Sequence, residues 1–307
     1  MTRIQMTRVG SVSAVLFYLF APCLILAATG CIPVKQVRVA AVALTLQDVA
    51  QAASKQTDTG LIREGTPAYL MLVDGLIEAY PDNPELLLAG CRAYSSYAAM
   101  VADEAPPRKA EALYLTAKRY GFRALSGRTD FAQAAAGNLN EFREFLQRYQ
   151  KEDVPALFWT AGAWAGWISS NLGNVEAVGD LPALEATLER TLQLDDRYYY
   201  GGPHLLMGVY LAARSPVFGS GLSESKTHFD RALAMSGSQA LAAKVLFAEY
   251  YAVGIRDRLL YETTLREVIN APAAELSELT LSNTLAKEKA RRLLEKTEEY
   301  FGSQPKE

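Results

Sequence analysis

Cysteine and histidine are scarce. The 307-residue chain has three cysteines and two histidines. Cys23 lies in an apolar leader and Cys31 directly follows it. That leaves Cys91 for the folded part, so no intramolecular disulfide is expected there. One thiol and two imidazoles do not complete a structural zinc set, and no metal or cofactor is expected. The signatures G-x-S-x-G, H-E-x-x-H and C-x-x-C do not occur, so nothing marks an enzyme. Basic runs are missing too. When Arg3 and Arg8 leave with the leader, the 31 basic residues fall to 29 against 34 acidic ones. A nucleic-acid partner is therefore not expected.

What is present begins with that leader. Arg3 and Arg8 precede Val12–Leu26, an apolar run whose polar groups are Ser13 and the Tyr18 hydroxyl. Ala27, Ala28, Thr29 and Gly30 follow. A basic start, an apolar stretch and a small-residue cleavage zone make residues 1–30 a secretory signal. The run is short for a membrane span and contains Pro22. Small residues directly before Cys31 resemble a lipobox, with Ala28 where leucine is usual. Cys31 is thus expected to be the lipidated first residue of the mature chain. Acyl chains contribute roughly 0.8 kcal/mol per buried methylene, so several together hold a protein to a bilayer. Residues 31–40 would be a tether, and residues 41–307 a single domain.

That domain reads as helix after helix. Val42, Leu46, Val49, Ala50 and Ala53 share one face of a 3.6-residue period. Thr66-Pro67 predicts a helix start, with threonine as N-cap and proline at the first position. The "PDNPE" turn predicts another. "PELLLAGCRAYSSYAAMVADEA" and "PPRKAEALYLTAKRYGFRAL" predict an antiparallel pair. The pattern continues to a final helix over residues 274–301, with Glu288 and Arg292 placed as an i,i+4 pair. No alternating strand pattern stands out, so the fold class is all-α. Gly90, Ala161-Gly162 and Met207-Gly208, with Ala117/Ala124 and Phe229/Ala232, fit diverged tetratricopeptide-like hairpins that need small residues where paired helices meet. Stacked hairpins leave a concave face.

Few residues suggest chemistry. "VFGSGLSESK" lacks the second glycine of a phosphate loop and reads as a turn. Asp195 and Asp196 are adjacent, and adjacent helical residues diverge by about 100°. The aromatic residues carry more signal. Trp159, Trp164 and Trp167 share one segment, Trp164 and Trp167 on one face and Trp159 displaced from both. They fit a core or an apolar cavity wall. "YYYGGPHLLMG" sets Tyr199, Tyr200 and His204 at a helix start, where Gly201 and Gly202 permit unusual backbone angles and Pro203 presets the first turn. With Tyr210 and Phe218 farther along, these residues are candidate ligand or partner contacts.

The stretch from Tyr198 to Ser236, followed by "KVLFAEYYAVGIRDRLLYETTLREVIN", resembles the TatT family, the lipoprotein T components of tetratricopeptide-associated TRAP transporters. The Gly-Gly-Pro start, the glycine-containing loop and the "LFAEYYA" helix carry the resemblance. It implies a periplasmic, membrane-anchored, non-enzymatic homotrimer that associates with the solute-binding P subunit. It also implies a cavity or pore for a hydrophobic or amphipathic organic acid. The alternative on the residues alone is a cell-envelope scaffold that binds protein segments on its concave face.

Overall fold

The computed structural model describes residues 34–302 except 105, 127–129, 219, 220, 238 and 273–275, and leaves aside the side chains of 34–41, 107 and 215–218. The leader and Cys31 lie outside the described residues. Among the described residues every regular element is helical. In chain order they are α1 (Val34–Ser54), α2 (Thr59–Ala79), α3 (Pro84–Val101), α4 (Pro107–Leu125), α5 (Phe131–Ala135), α6 (Leu139–Leu146), α7 (Val154–Ser169) and α8 (Val175–Gly179). Then follow α9 (Leu181–Asp195), α10 (Tyr198–Phe218), α11 (Leu222–Ser236), α12 (Leu241–Leu246), a π-helical turn (Phe247–Ala252), α13 (Arg258–Asn270), α14 (Thr280–Glu295) and α15 (Thr297–Phe301). By contacts the chain divides after Thr45, and the account below concerns the unit that begins at Leu46.

Side-chain caps set several starts. Asp58, Asn83 and Asp257 each accept a hydrogen bond from a backbone N–H three residues on, and Pro84 occupies the first turn of α3. The start expected at Thr66-Pro67 is not used. Helix α2 begins at Thr59, and Pro67 lies inside it. Asp58 caps the earlier turn, and the Thr66 hydroxyl donates to the Ile62 carbonyl at 2.6 Å. Thr59 and Arg63 are both held by Glu288, which keeps that turn helical.

Helices α3 and α4 form a close hairpin, as do α10 and α11. Small residues allow the approach: a Cβ on Gly90 would lie 2.8 Å from Ile77 of α2 and from Tyr120 of α4. One core gathers Phe131, Phe142, Leu157, Trp164, Leu184 and Leu188, between α5, α6, α7 and α9. A second gathers Leu241, Val245, Tyr261, Leu265 and Leu293, between α12, α13 and α14.

The succession closes on itself. Glu288 of α14 accepts from Thr59 and Arg63 of α2, each at 2.7 Å. Arg292 of α14 pairs with Glu104 at 3.1 Å and with Asp103 at 3.6 Å, just after α3. Glu288 and Arg292, expected as a pair along one helix, make their direct bonds to the first layer instead, while Arg292 still lowers the Glu288 pKa through space. The single last helix expected over 274–301 is also broken. It ends at Lys296, and α15 brings Tyr300 and Phe301 onto Tyr261 at 5.9 and 5.2 Å.

Cys91 shows how dry the interior between α3, α4 and α7 is. It is fully buried, and burial pushes its thiol pKa up to about 12. At about pH 8 a thiol reagent is expected to label it only as the protein unfolds. Labelling of the native protein at the rate of a free thiol would contradict this packing.

Candidate functional site

The segment Tyr198–Gly208 is the most unusual stretch of backbone. Tyr199 (φ 49°), Tyr200 (φ 60°) and Gly201 (φ 78°) are all left-handed. The strained angles thus fall on two tyrosines and Gly201, while Gly202 serves close packing. A Cβ on Gly202 would meet the Phe158 ring at 2.7 Å. Left-handed geometry costs a non-glycine residue about 1–2 kcal/mol, and such strain concentrates at binding and switch sites.

This turn sets Tyr198 and Tyr199 against the start of α7. Tyr199 lies 5.4 Å from the Trp159 ring and 5.8 Å from Phe158, which is itself 5.3 Å from Tyr198. Tyr200 packs beside Tyr199 and donates to Glu278 at 3.2 Å. The guanidinium of Arg92, from α3, stands 5.1 Å over the Trp159 ring. The Trp159 indole N–H is buried without an acceptor, which costs about 1–3 kcal/mol.

Tyr199 combines two properties that rarely coincide. The residue is 48% exposed, yet burial raises its pKa. Tyr199 thus stands at the edge of the aromatic cluster, partly accessible and partly covered by it. Tyr114 of α4 and Tyr250 of the π-helical turn behave in the same way. Both keep accessible surface, and burial raises both, Tyr114 to about 12. Glu249 and Asp103 add to both shifts, so these groups from three segments lie within electrostatic reach of one another. The Tyr114 ring lies against the α7 backbone, where a Cβ on Gly166 would sit within 2.6 Å of it. Trp159, Gly162 and Gly166 follow at steps of three and four on one face of α7. About 10 Å of helix separates the aromatic cluster from the tyrosine–glutamate group. The π-helical turn fits this picture, since such turns frequently mark functional sites.

The other predicted residues lie elsewhere. Trp164 is core: it is 1% exposed, packs 4.8 Å from Phe122 and donates its N–H to Asp180 at 2.7 Å. Trp167 is partly buried against that core, under the Lys118 ammonium at 3.8 Å. Lys118 in turn donates to Asp180 at 2.7 Å. Tyr210 is buried and donates to Glu185 at 3.1 Å, beside Arg214. The Phe218 side chain lies outside the described residues. His204 is 2% exposed and pairs with His228, Nδ1 to Nδ1, at 2.9 Å. Sequence reasoning missed Arg92, Phe158, Tyr198, Tyr114 and Tyr250. A lone arginine within the apolar run "LLLAGCRAY" was the signal available. A separate hollow of about 460 Å³ on the outer side of α4, lined by Arg119 and Arg123 among others, contains none of the predicted residues.

The family model for the TRAP transporter T-component matches residues 55–301. The chain belongs to the TRAP transporter T-component family. No curated protein matches it. The match spans α2 to α15, so the closing contact between α2 and α14 and the strained Tyr199 turn both lie within the family region. As a T component the protein is an accessory part of a transporter, and among the described residues no helix is long and apolar enough to cross a membrane.

Proposed function

We propose that this T component is a periplasmic lipoprotein that docks the solute-binding P subunit of its transporter and accommodates a hydrophobic or amphipathic organic acid inside the helical body. The proposal includes a lipid anchor at Cys31, with residues 1–30 removed as the signal peptide and 31–40 acting as a tether. A homotrimer is part of the reading. The aromatic cluster of Tyr198, Tyr199, Phe158 and Trp159, with the Arg92 guanidinium over it, carries it. Tyr199, Trp159, Tyr114 and Tyr250 all keep some accessible surface, and apolar walls with few polar groups are what a small-ligand site requires. Family membership supplies the transport context.

The test is affinity capture of the protein from its host, with mass spectrometry of bound proteins and small molecules. Recovery of a P subunit, with an organic acid in the native complex, is the expected result. Recovery of peptides without a P subunit would favour an envelope scaffold. For the anchor, Cys31→Ser is expected to move the protein from the membrane pellet to the soluble fraction. Single acyl chains bind only marginally and two or more bind durably, so the shift should be nearly complete. A variant that still pellets would remove lipidation from the reading.

A further inference from the structure

Arg92 sets its charge over an aromatic face beside the strained turn. Arg63, Arg214, Arg258 and Arg292 are each matched with a glutamate at 3.3 Å or less. Arg92 is exposed, and among the described residues it makes no ion pair. Its guanidinium lies over Trp159 and lowers the pKa of two phenols, Tyr69 on α2 and Tyr199 on the strained turn, against the burial that raises both. No carboxylate contributes to either phenol's shift. The corner is therefore positively charged, aromatic and not neutralised from within. Beside it sits a second donor without an acceptor, the buried Trp159 N–H. Tyr199, held on left-handed backbone, and Phe158 both pack edge-on to the Trp159 ring, each at 5.4 Å.

We propose that Arg92 is the carboxylate receptor of this recess, and that its ligand is a monoanionic acid carried on a flat apolar body, such as an aryl acid. The inference deepens the ligand reading above and rests on it. A guanidinium fits a carboxylate in a bidentate fork. The rings of Tyr199 and Phe158 give the flat body faces to pack on. The unpaired Trp159 N–H beside Arg92 supplies a second donor to the same carboxylate once the packing around it opens. The strain already stored at Tyr199 makes that turn the movable part of the site.

Calorimetric titration tests it, using the detergent-solubilised protein with cinnamate, the neutral cinnamamide and the aliphatic hexanoate. The wild type is expected to bind cinnamate about tenfold or more tighter than cinnamamide, and tighter than hexanoate. Arg92→Gln keeps a polar side chain at an exposed position, so folding is not at stake. It should weaken cinnamate about tenfold and leave cinnamamide unchanged. Trp159→Phe keeps a ring and removes the N–H, and should weaken cinnamate by a smaller factor, about threefold. Equal binding of cinnamate and cinnamamide, an unaffected Arg92→Gln variant, or no binding of cinnamate by the wild type would overturn the receptor. Hexanoate binding as well as cinnamate would overturn the flat body. Capture of the P subunit by the wild type is an independent readout. Its failure would sink the transporter reading while leaving an acid site that titrates as described.

Discussion

Gly121→Ala is expected to destabilise the protein by about 1–2 kcal/mol, although alanine is the better helix former. Gly121 lies on α4 where three helices cross. A Cβ there would stand 2.4 Å from Thr160 Oγ1 on α7, 3.0 Å from Thr160 Cβ and 3.1 Å from the Cys91 sulfur on α3. Thr160 and Cys91 are both 0% exposed, so neither can swing into solvent. The helices must move apart, and interiors packed to crystal-like density resist this. Propensity alone would favour alanine by about 1 kcal/mol, so overpacking must outweigh that gain. Gly75 on α2 supplies the control. Nothing lies within 4 Å of a Cβ built there. Gly75→Ala should therefore stabilise by about 0.5–1 kcal/mol. Urea unfolding followed by far-ultraviolet circular dichroism reads both. An unchanged or raised midpoint for Gly121→Ala would mean that the α3–α4–α7 crossing is looser than described.

The same crossing shows what was legible in the sequence. Periodicity announced α3, α4, α7 and α9, because each buries a stripe against a neighbour and the stripe repeats at the helical step. Gly90 and Met207-Gly208 were readable as close-approach positions for the same reason. The failures have a common physical origin in long-range pairing. Thr66-Pro67 had the local chemistry of a helix start. It was overridden by Asp58, and by Glu288 holding Thr59 and Arg63 from more than two hundred residues away. Glu288 and Arg292 had the local spacing of an ion pair, yet each found a partner on another layer. At the candidate site, "YYYGGPH" gave away the irregular backbone but not which residues bear it. Arg92, Tyr114 and Tyr250 lie 106, 84 and 46 residues or more from that stretch in the chain, so sequence proximity could not link them to it.

Acidification should unfold the protein in two separable stages, the first governed by a histidine pair. His204 and His228 share the hydrogen bond between their Nδ1 atoms at 2.9 Å. His204 Nε2 faces Asp196 at 3.5 Å, and Arg231 acts on both rings. Burial lowers the His228 pKa from 6.5 to about 4, aided by His204 and Arg231. Burial also lowers that of His204, opposed by Asp196. The unfolded chain takes up protons near the ordinary histidine value while the folded chain does not. Stability from this pair is therefore complete above about pH 6.5 and lost as pH falls towards 4. His228 is half-buried, so the full shift overstates the effect, and a loss on the order of 2 kcal/mol is expected. The hydrogen bond survives one added proton, because one ring still accepts. A second proton would set two N–H groups face to face. The carboxylate stage comes later. Glu288 is held below 4.5 against its burial by hydrogen bonds from Thr59 and Arg63, and Glu262 by Arg258 and Arg266, so their contribution is present above that value and lost as pH falls below it. Urea midpoints of the wild type at about pH 7.5 and about pH 5 should differ by that order, whereas His228→Gln, which cannot titrate, should show much less dependence. Parallel pH dependence in the two proteins would assign the first stage to other groups. His204 begins its helix just after the strained turn that carries Tyr199 and Tyr200.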